Sequence, residues 1–142
     1  MFNLKDKTAL VTGASGGIGA SIALALHKQG AKVCITGTNL KKLNQINQDS
    51  SMAFSQVVCD LTNREDLKKI IPSVEDKLGK IDILINNAGI TRDQLMMRMQ
   101  DDIWDEVIQT NLNSSFYLSK SVIKGMMKRK FGRIIQISSC NT

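Results

Sequence analysis

Residues 8–30 read TALVTGASGGIGASIALALHKQG, and this stretch restricts the fold more than any other. A short apolar run, 8–14, closes on glycine and passes at once into helical spacing through Ile18, Ile22 and Leu26, with Gly30 as a stop. A strand that enters a helix through a glycine-rich turn begins a strand–helix–strand unit. Gly13 permits the tight turn, and Gly17 and Gly19 let helix and backbone pack closely. The first N–H groups of the helix then face a site suited to a pyrophosphate.

The alternation continues to the last residues. Strands are expected at AKVCITG (31–37), SQVVCD (55–60), IDILINNAG (81–89) and GRIIQIS (132–138). NLKKLNQI reads as a short helix, and a second helix starts at Thr62, with Glu65 three residues on as in a capping box. Pro72 falls inside that helix and is expected to kink it or end its first half. A long helix is expected from about Asp102 to Lys130, burying Trp104, Ile108, Leu112, Ser115, Leu118, Val122 and Met126 along one face. Strands separated by helices require a parallel sheet with right-handed crossovers. The expected fold is therefore a Rossmann-like, doubly wound α/β sheet in a single domain, 1–142, ending after its fifth strand. Such sheets bind ligands beyond the carboxyl ends of their strands, where strand order reverses.

Length and composition bound the function. The 142 residues suffice for one core, and no run of eighteen apolar residues offers a membrane span. The N-terminus has no cleavable leader layout and runs straight into a strand. Cys34, Cys59 and Cys140 form no CxxC, so they read as buried thiols of a cytoplasmic protein. No His or Cys cluster suggests a metal, and His27 is expected to face solvent. The net charge of +6 arises wholly in residues 107–142, which hold Lys120, Lys124, Lys128, Arg129, Lys130 and Arg133 and no acid. Either these cations suit a helix C-terminus, or they form a docking patch for an acidic partner. No nucleic-acid recognition motif accompanies them.

The spacing Gly13–x3–Gly17–x–Gly19 resembles the TGxxxGxG turn of the short-chain dehydrogenase/reductase family. NNAG (86–89) and TNL (110–112) are similar to two further motifs of that family. NNAGITRDQLMMRM and MMKRKFGRII are similar to bacterial 3-oxoacyl-acyl-carrier-protein reductases, over about Lys5 to Ser139. The methionines of LMMRM also read as core filling. The resemblance implies an NADP(H)-dependent reduction of a 3-oxoacyl thioester in fatty-acid synthesis. It implies cofactor contacts at Gly13, Ala14, Ser15, Gly16, Ile18 and Gly19, with Asp60 and Leu61 beside the adenine. Asn87, Ala88 and Gly89 would then lie near the ribose and nicotinamide. It further implies docking of acyl carrier protein around Lys128, Arg129 and Lys130, and assembly as a homotetramer.

The second strand ends Gly37-Thr38-Asn39, with no acid to repel a 2′-phosphate, and Thr38 can donate to one. Gly16 stands where many NADPH-dependent members carry arginine, and Lys41 or Lys42 offers compensation. Asn111 lies between Ile108 and Leu112, so its amide needs partners. It is either a satisfied core amide or, as the resemblance implies, a residue that loosens the helix within a proton relay. Ser139, with Ser138 beside it, matches the family's oxyanion-stabilising serine. The family's tyrosine, with a lysine four residues later, should follow, but the sole tyrosine, Tyr117, precedes Ser139 and has Ser121 four residues on. The chain therefore reads as the first part of a reductase, inactive alone. The alternatives are one half of a split enzyme, or a non-enzymatic module that binds a dinucleotide or a carrier protein.

Overall fold

A computed structural model of the chain describes residues 3–50 and 54–138. Five parallel strands form one sheet in the order β3-β2-β1-β4-β5: β1 Thr8–Val11, β2 Lys32–Gly37, β3 Ser55–Val58, β4 Ile83–Asn86 and β5 Arg133–Gln136. Strands β1, β3, β4 and β5 stop short of the carboxyl ends of the runs that mark them, where the chain turns away to build loops, while β2 only begins one residue late. Strand order reverses beside β1, where β2 pairs on one side and β4 on the other, Val11 lying opposite both Ile35 and Ile85.

The alternation of side chains along the strands loads both faces of the sheet. Leu10, Cys34 and Leu84 point to one face, under α3 (Arg64–Leu78) and α5 (Ser114–Lys128). Ala9, Val11, Ile35 and Ile85 point to the other, under α1 (Gly17–Lys28) and α2 (Leu40–Ser50). Each fully buried Leu, Ile or Val contributes about 1.5–3 kcal/mol, which makes these two clusters the main hold on the fold.

Several local expectations are corrected. Helix α3 is capped by Asn63, whose side chain accepts from the Glu65 N–H at 2.8 Å; the Thr62 hydroxyl instead donates to Asp60 at 2.7 Å. Pro72 does not end α3. It lies on the exposed face, so the carbonyl deprived of a donor can meet water, while Ile70, Ile71 and Val74 hold the helix down around it. His27 is half-buried, its ring edge-on to Phe54 with centroids 5.5 Å apart. Gly30 does close α1, at φ +98°. Helix α2 runs eleven residues, longer than its apolar pattern suggests. Met96 and Met97, in a short helical turn at Met96–Arg98, are exposed and fill no core.

The long helix is two helices joined through a wide π turn. Helix α4, Asp101–Ile108, passes through Gln109–Asn113 into α5. The wide turn shifts the phase of the buried stripe, which falls on Thr110, Ser114, Leu118, Val122 and Met126. Trp104 and Leu112 are consequently turned to the surface.

Candidate functional site

At the carboxyl ends of the strands, on either side of the reversal, lies a crevice of about 590 Å³. That is the size of an organic ligand site. Its floor is the turn from β1 into α1, held by a polar knot around Thr12. The Thr12 hydroxyl donates to the Ile85 carbonyl (3.2 Å) and accepts from the N–H groups of Asn87 and Ala88 (both 3.0 Å). The Asn87 amide donates back to the carbonyls of Thr12 (3.1 Å) and Gly13 (3.2 Å). The ends of β1 and β4 are thereby fixed together before any ligand arrives.

This knot explains two glycines. A Cβ on Gly13, at φ +62°, would come within 2.6 Å of the Ala88 Cα, and one on Gly19 within 2.7 Å of the Gly13 carbonyl oxygen. Gly16 and Gly17 differ, because no atom lies within 3.5 Å of where their Cβ would be, and both line the open crevice. Gly16 is the N-cap of α1 and offers no side-chain acceptor, and the first turn carries no acid. The free N–H groups and positive pole of a twelve-residue helix thus face open space, an arrangement that fits a phosphate.

The other expected contacts distribute along the same crevice. Ser15, Ile18 and Thr38 line it at the α1 and β2 side, and Asp60 and Leu61 line it at the end of β3. Asn87, Ala88 and Gly89 line it at the end of β4. Ala14 does not line it: the residue is fully buried and its N–H donates to the Thr36 carbonyl at 3.0 Å. The first turn of α2 carries Lys41 and Lys42 and no acid. Asn39 is occupied as its cap, accepting from the Lys42 N–H at 3.2 Å.

Asn111 sits on the exposed side of the π turn and is fully partnered. Its side chain accepts from the Ile90 N–H (2.8 Å) and donates to the Ile90 carbonyl (2.9 Å), clasping the segment that leaves β4. Tyr117 packs on the α3–α5 cluster with the Arg64 guanidinium 5.8 Å above its ring. Ser139 lies outside the described residues, as does Cys140.

Sequence reasoning assigned no role to Thr12, nor to Ile90, Glu106 and Thr110, which line the crevice from the β4 and α4 side. A hydroxyl between the last apolar residue of the strand and the glycine turn was the available signal for Thr12. The thiols of Cys34 and Cys59 are pushed up to about 12 by burial, reinforced at Cys59 by Asp66 and Asp60, so neither is a nucleophile at neutral pH. Among the described residues, no three His, Cys, Asp or Glu side chains gather as a metal site, and no helix is long and apolar enough to cross a membrane.

The basic segment divides in two. Lys128 and Lys130 are exposed. Arg129 turns inward, donating to the Ile81 carbonyl (2.6 Å) and pairing with Asp82 (3.6 Å), a carboxylate that also meets Lys80 (3.0 Å) and the Thr8 N–H (3.2 Å). Arg129 is therefore a strut between α5 and the start of β4.

Comparison with known proteins adds three findings. The family model for short chain dehydrogenase matches residues 7–142. The chain is 45% identical over 139 residues to 3-oxoacyl-acyl-carrier-protein reductase FabG of Rickettsia bellii, and 44% identical over 137 residues to that of Escherichia coli. These matches take in 98% and 96% of this chain, but it spans only 56% of each relative. A metagenomic short-chain oxidoreductase solved in complex with NADP superposes at a TM-score of 0.91 and 32% identity, covering 97% of this chain and 64% of that one.

Proposed function

Since this chain belongs to the short-chain dehydrogenase family, we propose that it is the cofactor-binding part of an NADPH-dependent 3-oxoacyl-acyl-carrier-protein reductase. The observation that carries this reading is the uncapped start of α1 facing an open crevice at the strand-order reversal. The names of the relatives, the NADP complex of the structural neighbour and the acid-free end of β2 support it. NADPH, when bound, supplies a hydride to the substrate carbonyl. The chain's own residues do the holding: the α1 N–H groups take the pyrophosphate, Thr38 the 2′-phosphate, and Asp60 and Leu61 flank the adenine. Asn87 and Gly89 border the nicotinamide end.

In this reading Asn111 acts as a positioning residue through its clasp on Ile90. Ser139 stabilises the oxyanion formed from the carbonyl. Lys128 and Lys130 offer charge to an acidic carrier protein, and Arg129 supports them from behind. The protein works in the cytoplasm and self-associates. The 142 residues contain no tyrosine followed four residues later by lysine, so they bind cofactor without turning substrate over. Loss of a general acid alone costs about 10²–10⁴ in rate.

The test uses the 142-residue chain, titrated with NADPH by fluorescence and calorimetry and assayed with an acetoacetyl thioester. Saturable binding without oxidation of NADPH is expected. No nucleotide binding, or turnover well above background, would refute the reading, and heat with carrier protein alone would favour a non-enzymatic module. A second reading is a split enzyme, in which the uncovered side chains of β5 receive another chain. Co-expression with a second chain carrying the tyrosine and lysine should then restore reduction.

A further inference from the structure

Among the described residues lining the crevice only two carry charge, Asp60 and Glu106, and both are acids. An anionic dinucleotide would therefore enter a cleft whose side-chain charge is wholly negative. Asp60 is tied down locally, its carboxylate accepting from the Thr62 N–H (2.9 Å) and hydroxyl (2.7 Å). Glu106 has a different arrangement. It rises from α4 on the β4 side of the crevice, and the Arg92 guanidinium reaches it from outside at 3.3 Å. Arg92 does not itself line the crevice; its Nη1 donates to the Thr91 carbonyl at 3.2 Å. The segment bearing Arg92 is in turn fixed two residues earlier, where Asn111 holds Ile90.

We infer that Arg92 is a specificity-determining residue for an anionic cofactor, which it serves by neutralising Glu106 from behind the crevice wall. The inference rests on the dinucleotide reading above. As a contributor to folding the pair is minor, because both side chains are more than a third exposed and surface pairs hold little. Its effect lies in the field across the cleft. An uncompensated carboxylate there acts on several phosphate charges of one ligand at once, over distances comparable with the screening length.

The experiment is a double-mutant cycle read by NADPH fluorescence titration in low and high salt, with Arg92→Ala, Glu106→Gln and the double variant. Unfolding curves check that each variant is folded. Arg92→Ala should weaken NADPH binding roughly three- to tenfold at 10 mM salt and less than twofold at 0.5 M. Glu106→Gln should bind at least as tightly as the parent chain, and adding it to Arg92→Ala should restore affinity. If the pair were only a mechanical latch, Glu106→Gln and the double variant would lose as much as Arg92→Ala, and that pattern overturns the inference. Equal affinities across all four proteins overturn it as well. A parent chain that binds no NADPH would instead sink the cofactor reading, and this inference with it.

Discussion

Replacing Gly19 with alanine sets two effects against each other. In an ordinary helix interior alanine is about 1 kcal/mol better than glycine. At position 19 the added Cβ would lie 2.7 Å from the Gly13 carbonyl oxygen, 2.7 Å from the Asn87 amide nitrogen and 2.8 Å from the Ala14 Cα. Two of these atoms are backbone and cannot rotate aside, so the turn from 13 to 19 must move as a piece. Overpacking of this kind costs about 1–3 kcal/mol. After the helix-propensity gain, the expected loss is roughly 0–2 kcal/mol, or a fall in Tm of up to about 8 °C. The atoms displaced also shape the phosphate end of the crevice, so NADPH affinity should fall about tenfold or more, equivalent to about 1.4 kcal/mol. Gly17→Ala is the matched control. Nothing lies within 4 Å of its Cβ, so the fold should be unharmed, while the methyl still enters the cleft and weakens binding. Unfolding by heat and urea, with NADPH titration of the same samples, separates the two outcomes. A Gly19→Ala protein that melts no lower than the parent and binds NADPH equally well would refute the close-packing argument.

Two further outcomes follow from the buried polar groups. Burial, partly opposed at Cys34 by Lys77, lifts both described thiols from 9.0 to about 12. Above pH 9 the unfolded chain sheds thiol protons that the folded chain keeps, so stability falls as pH rises from about 9 toward 12. Replacing Cys34 and Cys59 with alanine should flatten that limb of the urea-midpoint profile, and an unchanged limb would exclude the thiols as its cause. Asp82→Ala strips the Thr8 N–H of its acceptor and Lys80 and Arg129 of their shared carboxylate, an expected cost of about 2–4 kcal/mol. The value is held down because both cations remain partly exposed. A urea midpoint shift equivalent to less than about 0.5 kcal/mol would mean that α5 is not anchored there.

Most of the architecture was legible because the apolar period changes each time the chain passes from strand to helix. The place of the crevice at the strand ends followed from the same pattern, whereas its individual residues were named through the family resemblance. The failures share a physical origin: each depends on a neighbour distant in sequence or on a small change in backbone phase. Thr62 and Asn63 are both competent caps, and the choice fell to Asn63 because Asp60 engages the Thr62 hydroxyl. Trp104 and Leu112 fit a helical stripe until the π turn shifts it, and no composition marks that turn beyond the Thr-Asn-Leu motif. Arg129 reads as one surface cation among several, and only the placement of Asp82 beneath the end of α5 turns it inward. Glu106 reads as an ordinary charge of an amphipathic helix until the end of β4 is brought beside it.

How far the binding end of this chain depends on the rest of the fold can be argued from β5. Ile134 packs against the α3–α5 cluster, but Ile135 and Ile137 stay 45% and 40% exposed, so β5 is buried on one face only. None of the described crevice residues lies on β5; they come from the ends of β1 to β4, from α1 and from α4 with its π turn. The Thr12–Asn87 knot that fixes the floor joins β1 to β4 directly. Loosening β5 should therefore cost global stability well before it disturbs the phosphate end. Charged substitution at Ile135, facing the uncovered side, should leave NADPH affinity within about twofold while Ile134→Asp, facing the cluster, lowers the unfolding midpoint by the equivalent of about 2 kcal/mol or more. Loss of nucleotide affinity in the Ile135 variant would show that the crevice is braced through β5 after all.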